Sequence, residues 1–278
     1  MSSPILRLAY LAKRAKQTNM KIATWNVNSV KARLPTVLEV LKAIDCDVIC
    51  LQEIKCETDA FPYMEIEELG YNVEAHGQKS YNGVALLSRF PVEDVVRGLP
   101  GNEDDEQARY IEALILSDNP VRVGGLYLPN GNPAPGPKYD YKLDWMRHLK
   151  THAENLMQAE EPIVLCGDYN IIPRAEDCWD ETVWSDDALA LPQSRAAFRR
   201  LKNLGLTEAF EAADNRGHEY TFWDYQGGAW QKDHGIRIDH HLLSPQAADR
   251  LESVEIYRKA RGLEKPSDHV PVVMTLAD

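Results

Sequence analysis

Polar residues recur in this chain where apolar runs stop, and their types suit one kind of chemistry. Asn26 closes KIATWN, with Asn28 two residues on; Glu53 follows CLQ; Tyr127 and Asn130 flank the end of VRVGGLYLPN. Asp168 and Asn170 follow PIVLCG, Asp239 interrupts IRIDHHLL, and Asp268 with His269 precedes VPVVMTL. Strand ends are where sheet proteins gather their ligands. Taken singly, an Asn or Asp there reads as an ordinary turn residue. Asp239 stands out, because a carboxylate inside an apolar run needs a partner or a metal.

Taken together the residues say more. Glu53, Asp168, Asp239 and Asp268 are carboxylates, with Asn amides, a Tyr hydroxyl and a His around them. Hard oxygen donors without clustered His or Cys suit Mg²⁺ or Mn²⁺ rather than zinc. Such an ion neutralises a phosphate oxygen and a departing alkoxide. Amides and a phenol can donate to the anionic transition state. An imidazole beside an Asp is fixed and charge-tuned. The set therefore points to metal-assisted phosphoester hydrolysis.

The elements that must carry these residues are short and mostly β. Lys21 to Val27 and Asp47 to Gln52 read as strands, separated by a helical face of Leu34, Val37, Leu38, Leu41 and Ile44. Further strands are predicted at Gly83–Ser88, Tyr110–Leu116, Val121–Leu128, Ile163–Cys166, Tyr220–Tyr225, Ile236–Leu243, Ser253–Tyr257 and Val270–Leu276. Leu143, Met146, Leu149, Ala153 and Leu156 share one helical face. Ala197, Phe198, Leu201 and Leu204 share another, with Ser194 as cap and Gly205 as stop. NGNPAPGP is a loop. No repeat or linker divides the chain, so we expect one α/β domain over residues 20–278: a sandwich of two mixed sheets packed face to face, helices outside.

Composition sets bounds on this reading. The formal net charge of −12 argues against a nucleic-acid binder, unless a basic rim sits on an acidic body. The hydrophobic fraction of 44% is that of an ordinary globular protein, and no run approaches the ~20 apolar residues of a membrane span. Cys46, Cys50, Cys56, Cys166 and Cys178 are odd in number and form no CxxC pair; Cys46, Cys50 and Cys166, in apolar segments, read as buried free thiols, which implies a reducing compartment, here the cytoplasm. Residues 1–19 are basic and acid-free and read as a mobile or weakly helical tail. They resemble an organelle transit peptide only weakly, and Met20 is an alternative start.

TWNVNSVKAR, LQEIK, YLPNG, GDYNI, RIDHHLLS and KPSDHVP occur in the order seen in the endonuclease/exonuclease/phosphatase superfamily. The chain resembles its exonuclease III branch, the abasic-site endonucleases, from Met20 to the C-terminus. That resemblance implies a four-layer, DNase I-like α/β sandwich and a Mg²⁺- or Mn²⁺-dependent DNA-repair phosphodiesterase. Its substrate would be double-stranded DNA, cut 5′ to abasic sites and trimmed at 3′ ends, by a monomer working at the nucleoid. Two alternatives stand beside it: a phosphohydrolase of a small phosphoester, and a non-catalytic DNA-binding protein.

The resemblance also implies roles. Glu53 is the main metal ligand, with Asn26 and Asp268 beside it. Asp168 orients or deprotonates the attacking water, Asn170 donates to the scissile phosphate, and His269 pairs with Asp239. The general base is either Asp168 or the His269–Asp239 pair. Tyr127 and Asn130 contact the phosphate, with Asn28 and Lys55 close by, and Lys55 helps to hold the carboxylates. Arg109 matches a family position whose role is either structural or functional. Phe222, Ile236 and Ile238 line an apolar pocket for the abasic sugar.

Two departures concern DNA contact. The loop after YLPNG carries no cation before Lys138, and the whole chain is acidic. Contact then falls to Lys31, Arg33, Lys55, Lys79, Lys138, Lys232 and Arg237, with GGAWQKDHG, carrying Trp230 and Lys232, as the DNA-facing loop.

Overall fold

The computed structural model describes residues 19–214 and 216–277. The expectation for the N-terminal tail lies outside the described residues, except at Asn19, which already pairs with Ala277.

The strands are β1 (Asn19–Asn26), β2 (Val48–Gln52), β3 (Asn72–His76), β4 (Val84–Ser88), β5 (Val92–Arg97) and β6 (Tyr110–Ile115). They continue as β7 (Val121–Tyr127), β8 (Ile163–Asp168), β9 (Thr207–Glu208), β10 (Asp239–Leu243), β11 (Leu251–Ile256) and β12 (Val272–Ala277). Three longer helices are α1 (Leu34–Ile44), α2 (Pro137–Met157) and α3 (Pro192–Lys202).

The strands form two six-stranded sheets, ordered β11-β12-β1-β2-β4-β3 and β5-β6-β7-β8-β10-β9. Each holds one parallel pair near its centre, β1 with β2 and β7 with β8, and is antiparallel elsewhere. Every residue of β2, β4, β8 and β10 is buried. Burial on both faces explains why β2, β4 and β8 read as largely apolar runs rather than alternating ones.

Three apolar layers hold four structural layers together. Between the sheets lie Ile22, Val48, Cys50 and Leu86 from one sheet against Ile111, Val123, Val164 and Cys166 from the other. Gly125 permits this close approach, since a Cβ there would sit 2.9 Å from Cys50 Sγ. The first sheet's outer face packs Ala23, Ile49 and Leu87 under Val37, Val40, Leu41 and Ile44 of α1. The second sheet's outer face packs Tyr110, Leu126 and Leu165 under Trp145, Met146 and Leu149 of α2 and Phe198 and Leu201 of α3. Each fully buried aliphatic side chain contributes about 1.5–3 kcal/mol.

Several boundaries differ from expectation. Ser194 is no cap: Pro192 starts α3 one turn earlier, and Ser194 lies buried inside it, donating to Ala188 O at 2.6 Å. Tyr220–Tyr225 forms no strand; only Phe222 makes isolated bridges, to Ile236 and His269. Strands β3, β5 and β9 went unpredicted. The first two are edge strands with mixed burial, and the third has two residues, so none shows an apolar run.

Candidate active site

The two parallel pairs end at one place. Asn26 closes β1, Glu53 follows β2, Tyr127 closes β7 and Asp168 closes β8. Register sets Asp168 beside Tyr127 on one side and Asp239 on the other. His269 comes just before β12 and bridges back to Phe222.

Hydrogen bonds tie these ends together. Asn26 Nδ2 donates to Glu53 Oε1 (3.1 Å) and to Asp168 Oδ2 (3.0 Å), so one amide joins the two sheets. Tyr127 OH donates to Glu53 Oε1 at 2.7 Å, and Lys55 Nζ lies 2.7 Å from Glu53 Oε2. Lys55 also donates to Asn28 Oδ1 (2.6 Å), and Asn28 Nδ2 donates to Asp268 Oδ1 (3.1 Å). On the far side His269 Nδ1 is 2.9 Å from Asp239 Oδ2, and His269 Nε2 is 3.7 Å from Asp168 Oδ2. Asn170 N donates to Asp168 Oδ1 (2.9 Å), and Asn130 Nδ2 donates to Asn170 Oδ1 (3.1 Å).

The backbone bends sharply to present these groups. Glu53 and Lys55 hold φ of 50° and 52°, and Asn170 holds 47°, all in the left-handed region. Asn tolerates it, whereas Glu and Lys gain nothing there. Such strain is kept where surrounding structure imposes it, commonly at sites. Here Ile54 N and Lys55 N donate to Gly83 O and Asn82 O, which pin the turn.

Electrostatics sort the groups. Burial alone would raise the carboxyl pKa of Glu53, but Lys55, Tyr127 and Asn26 outweigh it and hold it below the usual range. Burial pushes Tyr127 well up, helped by Glu53 and Asp168, so it stays a donor. Asp168 is pushed up, first by burial and then by Asp239, against the opposing charge of His269. Burial would lower His269, yet Asp239 and Asp168 outweigh it, so the imidazole is held cationic.

The residues suit a hard divalent cation. Glu53, Asp168, Asp239 and Asp268 carry more negative charge than Lys55 and His269 offset. Asp168 and Asp239 cluster with His269, their polar atoms within 4.8 Å of one another, and among the described residues the buried Asp239 Oδ1 has no hydrogen-bond partner. Oxygen donors with excess charge are the setting for such an ion. Asn26, placed beside Glu53 by the resemblance, donates its amide NH₂ to the Glu53 and Asp168 carboxylates.

The remaining residues divide. Ile236 and Ile238 are 1% and 2% exposed, packed with Ile172, Cys178, Leu189 and Ala190; Phe222 stays partly open, edge-on to His269 at 5.0 Å. Arg109 stacks over Tyr127 at 5.0 Å and donates to its carbonyl. Trp230 packs edge-on against Trp223 at 4.9 Å, leaving Lys232 as the exposed cation of its loop. Arg237, expected at the DNA surface, is instead buried between Asp177 and Glu208. The run RID alternates, and Arg237 points into a polar interior that sequence alone does not reveal.

Sequence reasoning missed Thr221, Ser267 and Lys142. Thr221 Oγ1 accepts from the Ile238 and Asp239 amides, and Ser267 Oγ ties Asn26 O to the His269 amide. Lys142 is fully buried on the apolar face of α2; its place three and seven residues before Trp145 and Leu149 was the available signal.

Comparison with known proteins places this site in a family. The Endonuclease/Exonuclease/phosphatase family profile matches residues 23–269. Exodeoxyribonuclease III of Haemophilus influenzae is 34% identical over 91% of this chain and 98% of its own. Among solved structures, a 3′ phosphatase from Neisseria bound to a product DNA hairpin is 39% identical, with TM-score 0.89 over 93% of this chain and 99% of its own. An AP endonuclease from Archaeoglobus fulgidus is 34% identical, with TM-score 0.88 over 93% and 99%. With its four-layer sandwich and its cluster of acids and histidine at the strand ends, the chain belongs to the endonuclease/exonuclease/phosphatase family and is a metal-dependent hydrolase of the exonuclease III type.

Proposed function

We propose that this protein is a Mg²⁺-dependent DNA-repair phosphoesterase that works first on 3′ ends and also on abasic sites of double-stranded DNA. The hydrogen-bonded convergence of Glu53, Asp168, Asp239 and His269 carries the reading of the chemistry. Asp168 orients water and takes its proton. His269, kept cationic by Asp239, donates to the phosphate, which supports Asp168 rather than the His269–Asp239 pair as base. Asn170 and Asn130, each with a second amide hydrogen, supply neutral donors, while Tyr127, Asn28 and Lys55 order the acids. Glu53, with Asp268 near it, would hold the cation. When bound, that ion stabilises charge on the departing 3′ oxygen.

The preference for 3′ ends rests on Ile236 and Ile238. Both are closed against Leu189 and offer little free surface to an extruded sugar. Nothing in the site favours the small-molecule or non-catalytic alternatives. Among the described residues no helix is long and apolar enough to cross a membrane. We place the protein's work in the cytoplasm, as a monomer. Rates on a duplex with a 3′-phosphate and on one with an internal abasic analogue, each with Mg²⁺ and with EDTA, test the reading. Faster metal-dependent 3′ processing supports it, and faster internal incision refutes the preference.

A further inference from the structure

A lysine inside an apolar helix face costs stability unless its ammonium is satisfied. Lys142 shares its face of α2 with Trp145, Met146 and Leu149 and is wholly buried. Among the described residues no carboxylate lies within ion-pair distance of its Nζ. Its partners are two backbone carbonyls, Asn130 O at 3.0 Å and Asn170 O at 2.5 Å. These belong to the turns that follow β7 and β8.

Both turns depend on that point. Asn170 sits at φ 47°, with its Nδ2 on Leu128 O (2.9 Å) and its Oδ1 taking the amide of Asn130. Gly131 holds φ +92°, and a Cβ there would lie 2.7 Å from Lys142 Cδ, so the loop is shaped to let this side chain through. Burial pulls the ammonium toward its neutral form, while the charges of Asp168 and Asp187 oppose that pull.

We propose that Lys142 is a positioning residue for catalysis: by clamping the Asn130 and Asn170 carbonyls from below, it fixes the Asn170 side chain, to which Asn130 is hydrogen-bonded, toward the scissile phosphate. The proposal rests on the reading above that Asn170 meets the phosphate. Small misplacements of such groups lower turnover by about 10²-fold without a comparable change in duplex affinity, which many other contacts supply.

A double-mutant cycle tests it on a duplex with a 3′-phosphate, using Lys142→Met, Asn170→Ala and the pair, each checked for folding by circular dichroism. The expected result is that Lys142→Met lowers kcat by about 10²-fold with KM within a few-fold of the parent, and that it adds little once Asn170 is alanine. Independent, multiplicative effects overturn the proposal, because a merely structural lysine would weaken both backgrounds alike. Unchanged kcat in Lys142→Met overturns it too. If Asn170→Ala alone leaves kcat intact, the fault lies in the reading of Asn170. Should Lys142→Met not fold, Lys142→Arg, which keeps the charge but not the geometry, is read in the same cycle by the same criteria.

Discussion

Asp168 and Asp239 are direct register partners across β8 and β10, and His269 reaches both of them from the loop before β12. Two carboxylates held this close would repel and protonate. The imidazolium makes the pair tenable, and the pair in turn keeps the imidazole charged.

That mutual dependence has a measurable consequence. Asp239→Asn removes the stronger of the two charges acting on His269. The imidazole pKa should then fall toward the ordinary histidine range in the metal-free protein, read by NMR titration. Turnover should drop by about 10²-fold with the fold intact. An unmoved imidazole pKa would show that Asp239 does not hold the charge.

Glu53 gives a metal-specific test. In the parent protein Mg²⁺ should raise Tm in proportion to its binding free energy. Glu53→Gln keeps the shape but loses the charge that Lys55 and Tyr127 hold in place. Its Mg²⁺ affinity should fall at least about tenfold, with Tm in EDTA little changed. An equal Mg²⁺-induced shift in both proteins would remove Glu53 from the ligand set.

Arg237 predicts stability rather than activity. It is buried between Asp177 and Glu208, and Glu208 also meets His240. Removing one partner strands the others, so Arg237→Met should cost about 3–5 kcal/mol in denaturant unfolding. A cost below about 1 kcal/mol would contradict this.

The same cluster sets an acid limit. Burial would raise the Glu208 carboxyl, but Arg237 and His240 hold it far below its ordinary range. A carboxyl depressed in the folded state stabilises fully above its unfolded pKa. That contribution is lost as pH falls below it, so stability should decline from about pH 4.5 downward. Glu208→Gln should flatten this acid slope, and an unchanged slope would assign it to other groups.

How much of this was legible differs by residue. Strands β1, β2, β4, β7 and β8 declared themselves as apolar runs, and their ends carried Asn26, Glu53, Tyr127 and Asp168 as expected polar punctuation. The two-sheet architecture was legible through those runs and through the ordered motifs. The edge strands β3 and β5 were not, since half-exposed residues blur the period. Lys142 and Arg237 were misjudged or missed for one shared reason: a cation reads as surface until its partners are seen, and those partners lie 12 to 60 residues away. The burial of Ile236 and Ile238 against Leu189 also depends on chain packing that no local pattern encodes.

The central claim is that Asp168 activates water at a metal-dependent DNA phosphoesterase site. The most direct measurement is single-turnover cleavage of a 3′-phosphorylated duplex by the parent and by Asp168→Asn, in Mg²⁺ and in EDTA. The expected result is release of phosphate by the parent only with Mg²⁺, and a rate at least about 10³-fold lower in a folded Asp168→Asn that still binds the duplex. A variant that cleaves within tenfold of the parent would contradict the claim.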